Sequence, residues 1–349
     1  MARPSPWVPR IESVRRLVRP VGPDPTGARG PTRAQARGAG WRRTSRGWYV
    51  PAEVDADEPG QRVIESAVLL PPGGVVTGWG ALWLARASYF DGLGGDGLTQ
   101  RPVPLLLPTQ QSRRPRDGVR WLRDRLTSEE TWVRFGVPCA RPDRALFDEA
   151  RRQADVRAAV VDLDMAYAAE LTSRRRTRRD LDGRAEWDGV PLVRRAWELA
   201  DENSWSPGES RTRLVWVLDA RRPRPQTNRP VFGADGQLLG IADLLDDEAG
   251  VAGEYDGAEH ARPGRRSRDA AKESRFRDHG LEVVRITAYD EHVPGQVAER
   301  IDAAYQRAAR NRLPRRWTAT PPRGAEPSLT LDERLELIDV MRDLHQRVG

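Results

Sequence analysis

Glu254, Asp256 and His260 fall within seven positions of GEYDGAEH (253–260), after a run of small and apolar residues. Two carboxylates two residues apart on a strand point to one face, ~6.6 Å apart. Ionised carboxylates held that close need a cation or a proton to offset their repulsion. A hard divalent ion, Mg2+ or Mn2+, takes carboxylate oxygens and leaves positions for water and phosphate. Such a site would suit hydrolysis of a phosphodiester backbone. A third acid joins if DEAG (247–250) is the loop of a hairpin. Asp246 then pairs with Val251, Leu245 with Ala252, Leu244 with Gly253, and Asp243 with Glu254. Side chains directly opposed across two strands lie ~5 Å apart at Cβ. Asp243, Glu254 and Asp256 are therefore the expected metal ligands. A slip of one residue would turn Asp243 away. The same acids would also be accounted for by strands that end in water.

Other groups could serve this chemistry. The imidazole of His260 titrates near neutrality and suits either a proton donor or an acceptor. Glu209 lies in SPGES (206–210), where Ser206, Pro207 and Glu209 have the form of a capping box with proline at the first helical position. It could orient a ligand or a water, or simply cap its own helix. Arg265, Arg266 and Arg268 stand in PGRRSRDAAKESRFRDHG (263–280) and could hold DNA phosphates. A solvated face of mixed charge is the other reading of that helix. Lys272, in the same helix, is the only lysine of the chain.

The elements that must position these groups follow from periodicity and turn signals. QTNRPVF (226–232), QLLGIADLLD (237–246) and VAGEYDG (251–257) read as three successive strands, preceded by the helix from Ser206. The helix over 263–280 ends at a glycine in the expected place, and LEVVRIT (281–287) is a buried strand. Upstream, WRRTSRGWYVP (41–51) is a strand or hairpin arm, and QRVIESAVLL (61–70) and VVTGWGALWLA (75–85) are helices, the second with Thr77 as N-cap. RPVPLLLP (101–108) and the stretch 119–122 are strands, and 142–171 holds one or two helices. The expected organisation is a loosely packed or disordered 1–40 with a short helix near 32–38, and a mixed region 41–172. A charged hinge with its connecting helix covers 173–200. The core follows over 201–310, then a linker and an amphipathic helix over 311–349, with Leu331, Leu335, Ile338 and Leu344 on its apolar face. The fold class is α/β (α+β).

The chain has 349 residues, a net charge of +7 and a pI of about 10.2. A basic balance fits a polyanionic partner. Arginine supplies all but one of the 58 basic residues, which reads as a GC-rich codon bias, so arginine placement carries more weight than arginine number. One cysteine, Cys139, excludes an internal disulfide framework and cysteine-based metal clusters. No apolar run approaches the ~20 residues of a membrane span, and the N-terminus lacks the apolar stretch of a signal peptide. A cytoplasmic protein is expected.

The order of helix Glu209, strand Asp243 and then Glu254-Tyr255-Asp256 on the next strand resembles the PD-(D/E)XK nuclease superfamily. Asp256-Gly257, His260, a charged helix with Asp269, a glycine and LEVVRIT are similar to its very-short-patch-repair-endonuclease-like group. The resemblance spans about 206–310. It implies a restriction-endonuclease-like core and Mg2+- or Mn2+-dependent cleavage of DNA. The superfamily's usual lysine two residues after the glutamate is Asp256 here, and Ala242 replaces the proline before Asp243. His260 or Lys272 would then take the lysine's place. WRRTSRGWYVP and GVPCARPDRALFDEA (136–150) resemble, more distantly, abortive-infection type IV antitoxin-like proteins, which implies a winged-helix-like start, truncated here, and a toxin partner.

Two functions of different class follow. One is a metal-dependent DNA endonuclease with Asp243, Glu254 and Asp256 on the metal, in defence or DNA repair. The other is an antitoxin-like or regulatory DNA-binding protein whose nuclease-like domain is an inactive scaffold. A homodimer is compatible with either.

Overall fold

The computed structural model describes residues 17–257, 263–322, 324 and 329–348. It is a mixed α/β protein that divides into two compact units between Gln153 and Ala154. This division falls inside the region expected to be continuous over 41–172. No helix among the described residues is long and apolar enough to cross a membrane.

Unit 1 opens on residues 17–40, which are not loose as expected. Leu17 is buried, and Val21 bridges Tyr49 in both backbone directions. A short 3-10 turn at Gln35–Arg37 lies where a helix was expected. Strands β1 (Trp41–Ser45) and β2 (Trp48–Pro51) then form an antiparallel hairpin. Helix α1 (Pro59–Ala67) starts on a Glu58 cap with proline in its first turn and buries Val63 and Ile64. A five-stranded mixed sheet follows. It is built from β3 (Val75–Val76), β4 (Val103–Leu107), β5 (Val119–Arg123), β6 (Thr131–Arg134) and β7 (Val137–Ala140), in the order β5-β4-β3-β7-β6. Helix α2 (Gly78–Leu84) follows β3 directly, and α3 (Pro142–Ala150) follows β7. Thr77 sits before α2 but makes no side-chain cap. Its hydroxyl donates instead to Asp148 at 2.8 Å, while Glu149 accepts from the Trp79 N–H at 3.0 Å. The two acids of α3 therefore satisfy the start of α2 from outside.

Unit 2 begins with α4 (Val156–Ala168), α5 (Arg174–Asp182) and α6 (Val190–Leu199). The charged run 173–184 is thus a helix rather than a hinge. The Ser173 hydroxyl caps it, and Thr177 and Leu181, four apart, face inward. Helix α7 (Pro207–Leu214) continues as a π turn, Val215–Asp219. The chain then runs β8 (Gln226–Gly233), β9 (Leu238–Asp246), β10 (Val251–Asp256), α8 (Pro263–Asp278), β11 (Glu282–Thr287), α9 (Pro294–Arg310), β12 (Trp317–Thr318) and α10 (Leu331–Val348). The sheet order is β11-β10-β9-β8-β12. β8, β9 and β10 form an antiparallel meander, and α8 carries the chain to β11, which lies parallel to β10. A parallel neighbour requires such a crossover. β12 extends this sheet from within the segment expected to be only a linker.

Both faces of this sheet are covered. Phe276 of α8 packs with Val231, Leu239, Leu245, Ala252 and Val283. Trp216 of the π turn and Val297, Ile301 and Ala304 of α9 pack with Leu244, Val251, Val284 and Ile286. The meander is thereby clamped between α8 on one face and α7 with α9 on the other, and the candidate site lies where its second and third strands part.

Candidate active site

The hairpin register is the one expected: Val251 pairs with Asp246, Ala252 with Leu245 and Gly253 with Leu244. The ladder stops there. At the next position the Asp243 carboxylate itself accepts the Tyr255 N–H, at 2.7 Å. β10 stays paired with β11 on its other side as far as Asp256 and Thr287. The two strands therefore fork at Asp243, and its side chain spans the opening.

Alternate residues of β10 are read by different neighbours. A Cβ on Gly253 would lie 3.0 Å from the Trp216 ring, and one on Gly208 of α7 would lie 2.0 Å from the Tyr255 ring. Tyr255 thus seats on the bare backbone of α7. Glu254, one residue earlier, must point to the opposite face, and there it meets α8. Lys272 forms an ion pair with Glu254 and donates to the Ile241 carbonyl at 3.1 Å. Its stem crosses β9 at Gly240, where a Cβ would lie 2.8 Å from the Lys272 Cγ. Arg275, one turn on, donates to the Leu239 carbonyl at 2.9 Å. Two cationic side chains of α8 thus hold carbonyls of the strand that carries Asp243.

Asp243, Glu254 and Lys272 are therefore brought to one place, at the fork and under α8. The other expected residues are arranged differently. Among the described residues no group of three His, Cys, Asp or Glu side chains could hold a metal, so the expected convergence of Asp243, Glu254 and Asp256 is not assembled. The cause is local. Asp243 is drawn to a backbone N–H, Glu254 to an ammonium, and Asp256 lies half-buried at the end of its strand. Glu209 is engaged as a cap. Its Oε1 accepts from the Ser206 hydroxyl at 2.9 Å, and its Oε2 accepts from the Trp205 N–H and from Asn228, at 2.9 and 2.7 Å. It fixes the start of α7 against β8, which leaves it a positioning role. His260 lies outside the described residues. Arg265, Arg266 and Arg268 belong to the first turns of α8, and their side chains lie outside the described residues too.

Sequence reading missed Gly240, Gly208 and Asn228. A glycine inside a strand signals a close backbone approach, and LLGIAD carries that signal for Gly240. Gly208 is hidden by the capping pattern around it. Asn228 adopts a left-handed φ of 44° and turns its amide onto Glu209, which nothing in a strand-like QTNRPVF announces.

Mg2+ is commonly held by one or two carboxylates, with waters and substrate phosphates completing its shell. The oxygen donors of Asp243 and Glu254, on neighbouring strands beside a fork, fit that requirement without a third acid. Comparison with protein-family models, with curated proteins and with solved structures finds no match to this chain.

Gly240→Ala tests how tightly α8 is seated. The added methyl meets the Lys272 stem at 2.8 Å and the Phe276 ring at 3.2 Å. Overpacking of this kind costs ~1–3 kcal/mol. Urea unfolding should show that loss, with the midpoint lowered and the slope unchanged; an unchanged midpoint would mean that α8 shifts freely over β9.

Proposed function

We propose that unit 2 is a divalent-metal-dependent endonuclease that hydrolyses DNA phosphodiesters, built on a restriction-endonuclease-like core. The observation that carries this reading is the seating of Lys272 on Glu254 beside the Asp243 fork. An acid at a strand fork, a second acid on the neighbouring strand and an ammonium against it are the group types that phosphodiester hydrolysis needs. The element order supports the same core: α7, the β8–β10 meander, α8 and a parallel β11.

Asp243 and Glu254 would hold Mg2+ or Mn2+. When bound, the ion would supply Lewis acidity toward the phosphate and lower the pKa of a water, easing its deprotonation to the attacking hydroxide. Lys272 keeps the Glu254 carboxylate in place and sets a positive charge beside it. The Tyr255 N–H fixes one oxygen of Asp243. Asp256 and His260 are the proposed proton-handling or orienting groups, and Arg265, Arg266 and Arg268 the proposed phosphate contacts. Supercoiled plasmid incubated with Mg2+ or Mn2+ should be nicked by the wild type and left intact by Asp243→Ala. Equal nicking by the variant would remove Asp243 from the site.

A second reading, a DNA-binding scaffold with an antitoxin-like front, is favoured by one observation: Glu209 is committed to capping. It expects binding that does not require metal, falls steeply with salt, and occurs without nicking.

A further inference from the structure

Unit 1 holds an open cleft of about 700 Å3, within the size range of small-molecule sites. It is lined by the end of α1 and the turn into β3, by the β6–β7 hairpin and by residues 126–128 ahead of that hairpin. Arg19 and Trp48 complete the lining. The turn into β3 is stiff. Proline fixes φ at positions 71 and 72, and the Gly74 N–H donates to the Pro71 carbonyl at 2.9 Å. That wall of the cleft is therefore set by backbone. The lining is mostly apolar, with Leu70, Pro71 and Leu126 beside Trp48 and Trp132. Among the described residues that line it, Arg19 is the only charged one, and none is an acid.

The backbone around Arg19 is clamped on both sides. Val18 exchanges two hydrogen bonds with the Gln61 side chain, both at 2.8 Å. Val21 exchanges two with the Tyr49 backbone, at 2.8 and 2.9 Å. The Arg19 side chain has no such company: among the described residues no carboxylate pairs with its guanidinium. Arg42, on the neighbouring hairpin, shows the contrast, since it is paired with Glu65 at 2.6 Å. Arg19 is half-buried, and burial alone lowers its pKa from the ordinary guanidinium value. A cation taken partly out of water without a counter-charge carries a cost that a bound anion offsets. The planar guanidinium matches a carboxylate through two parallel hydrogen bonds. One cation in an apolar lining suits a single negative charge, whereas a polyanion would need several. We propose that this cleft binds a small apolar monocarboxylate, its carboxylate on Arg19 and its hydrocarbon body among Leu70, Pro71 and the two tryptophans. The proposal does not rest on the endonuclease reading of unit 2.

The probe is naphthoate, a fused pair of aromatic rings with one carboxylate, beside its neutral counterpart naphthalenemethanol. Titration calorimetry of the full chain should show one saturable site for naphthoate. The alcohol should bind about 10- to 100-fold more weakly, the scale of a hydrogen bond to a charged group. Arg19→Met keeps the stem and removes the guanidinium, so its circular dichroism and melting should match the wild type. It should weaken naphthoate by the same factor and leave the alcohol unchanged. Arg113→Met, at an exposed arginine of unit 1 outside the cleft, should leave both unchanged. Acid against alcohol on the wild type needs no variant, so the proposal stays open to failure if Arg19→Met does not fold. No saturation of the wild type by about 1 mM naphthoate, equal affinity for acid and alcohol, wild-type affinity in Arg19→Met, or an equal loss in Arg113→Met would each overturn the proposal.

Discussion

Lys272→Met should lose metal-dependent nicking of plasmid DNA by about 10²- to 10³-fold, the scale of removing one preorganised charge stabiliser. Methionine keeps the apolar stem that crosses Gly240 and removes the ammonium that pairs with Glu254 and the Ile241 carbonyl. Glu254 would then be a largely buried carboxylate that has lost its ammonium. Breaking a fully buried pair costs ~3–5 kcal/mol; both partners here keep some exposure, so about 2 kcal/mol is expected. Activity must therefore be measured well below the variant's melting temperature. Lys272→Arg separates the two effects. The guanidinium restores charge but is planar and forked, and does not replace a compact ammonium in a seat shaped by a missing side chain. It should recover stability more than activity. Nicking by Lys272→Met at the wild-type rate, with Asp243→Ala inactive, would keep the fork as the site and exclude the lysine from it.

The hairpin that carries this site was legible because a four-residue loop at 247–250 sets Asp246 against Val251 and so fixes the register. The capping of α7 was legible too, since Ser206, Pro207 and Glu209 are a local signal. What the sequence hid is where the ladder stops. A side chain outcompetes a backbone carbonyl for the Tyr255 N–H at Asp243, and periodicity does not register that contest. The same holds for Glu254, whose partner arrives from α8, eighteen residues on. Spacing puts three acids on one face but does not register the partners that Asp243 and Glu254 also take. The run 173–184 misled in the opposite way. Its arginines suggested a solvated hinge, yet Ser173 with Thr177 and Leu181 already spelled a capped helix with one inward stripe. Residues 17–40 looked loose because proline and glycine suppress periodicity, but Val21 pairs with Tyr49 of β2, Val18 with the Gln61 side chain, and Asp24 closes a local turn on Thr26 and Arg29.

Asp164→Ala should destabilise unit 2 by about 3–5 kcal/mol, because it strands a buried guanidinium. Asp164 and Arg213 are both almost wholly buried and pair at 2.6 Å. Asp164 also accepts from the Ser210 hydroxyl at 2.6 Å and from the Asp201 N–H at 2.7 Å. These bonds tie α4 to α7, the helix that seats Tyr255 on Gly208 and so helps to hold the Asp243 fork. Loss of stability and loss of the site should therefore travel together in this variant. Burial pushes the Asp164 carboxyl above its ordinary range, outweighing the opposing pull of Arg213 and of its hydrogen bonds. A raised acid in the folded state stabilises below its unfolded pKa, and that contribution is lost as pH rises through the folded value. The ionised pair is thus costly at neutral pH as well as necessary once Arg213 is there. Asp164→Leu with Arg213→Met removes both charges at similar volume and should recover most of the loss, its stability relative to the wild type improving as pH rises through the folded Asp164 value. Chemical denaturation of the wild type and of the single and double variants across pH measures this. A single variant within 1 kcal/mol of the wild type, the scale of an exposed pair, would show that water reaches Arg213 and that α7 is held by its apolar contacts instead.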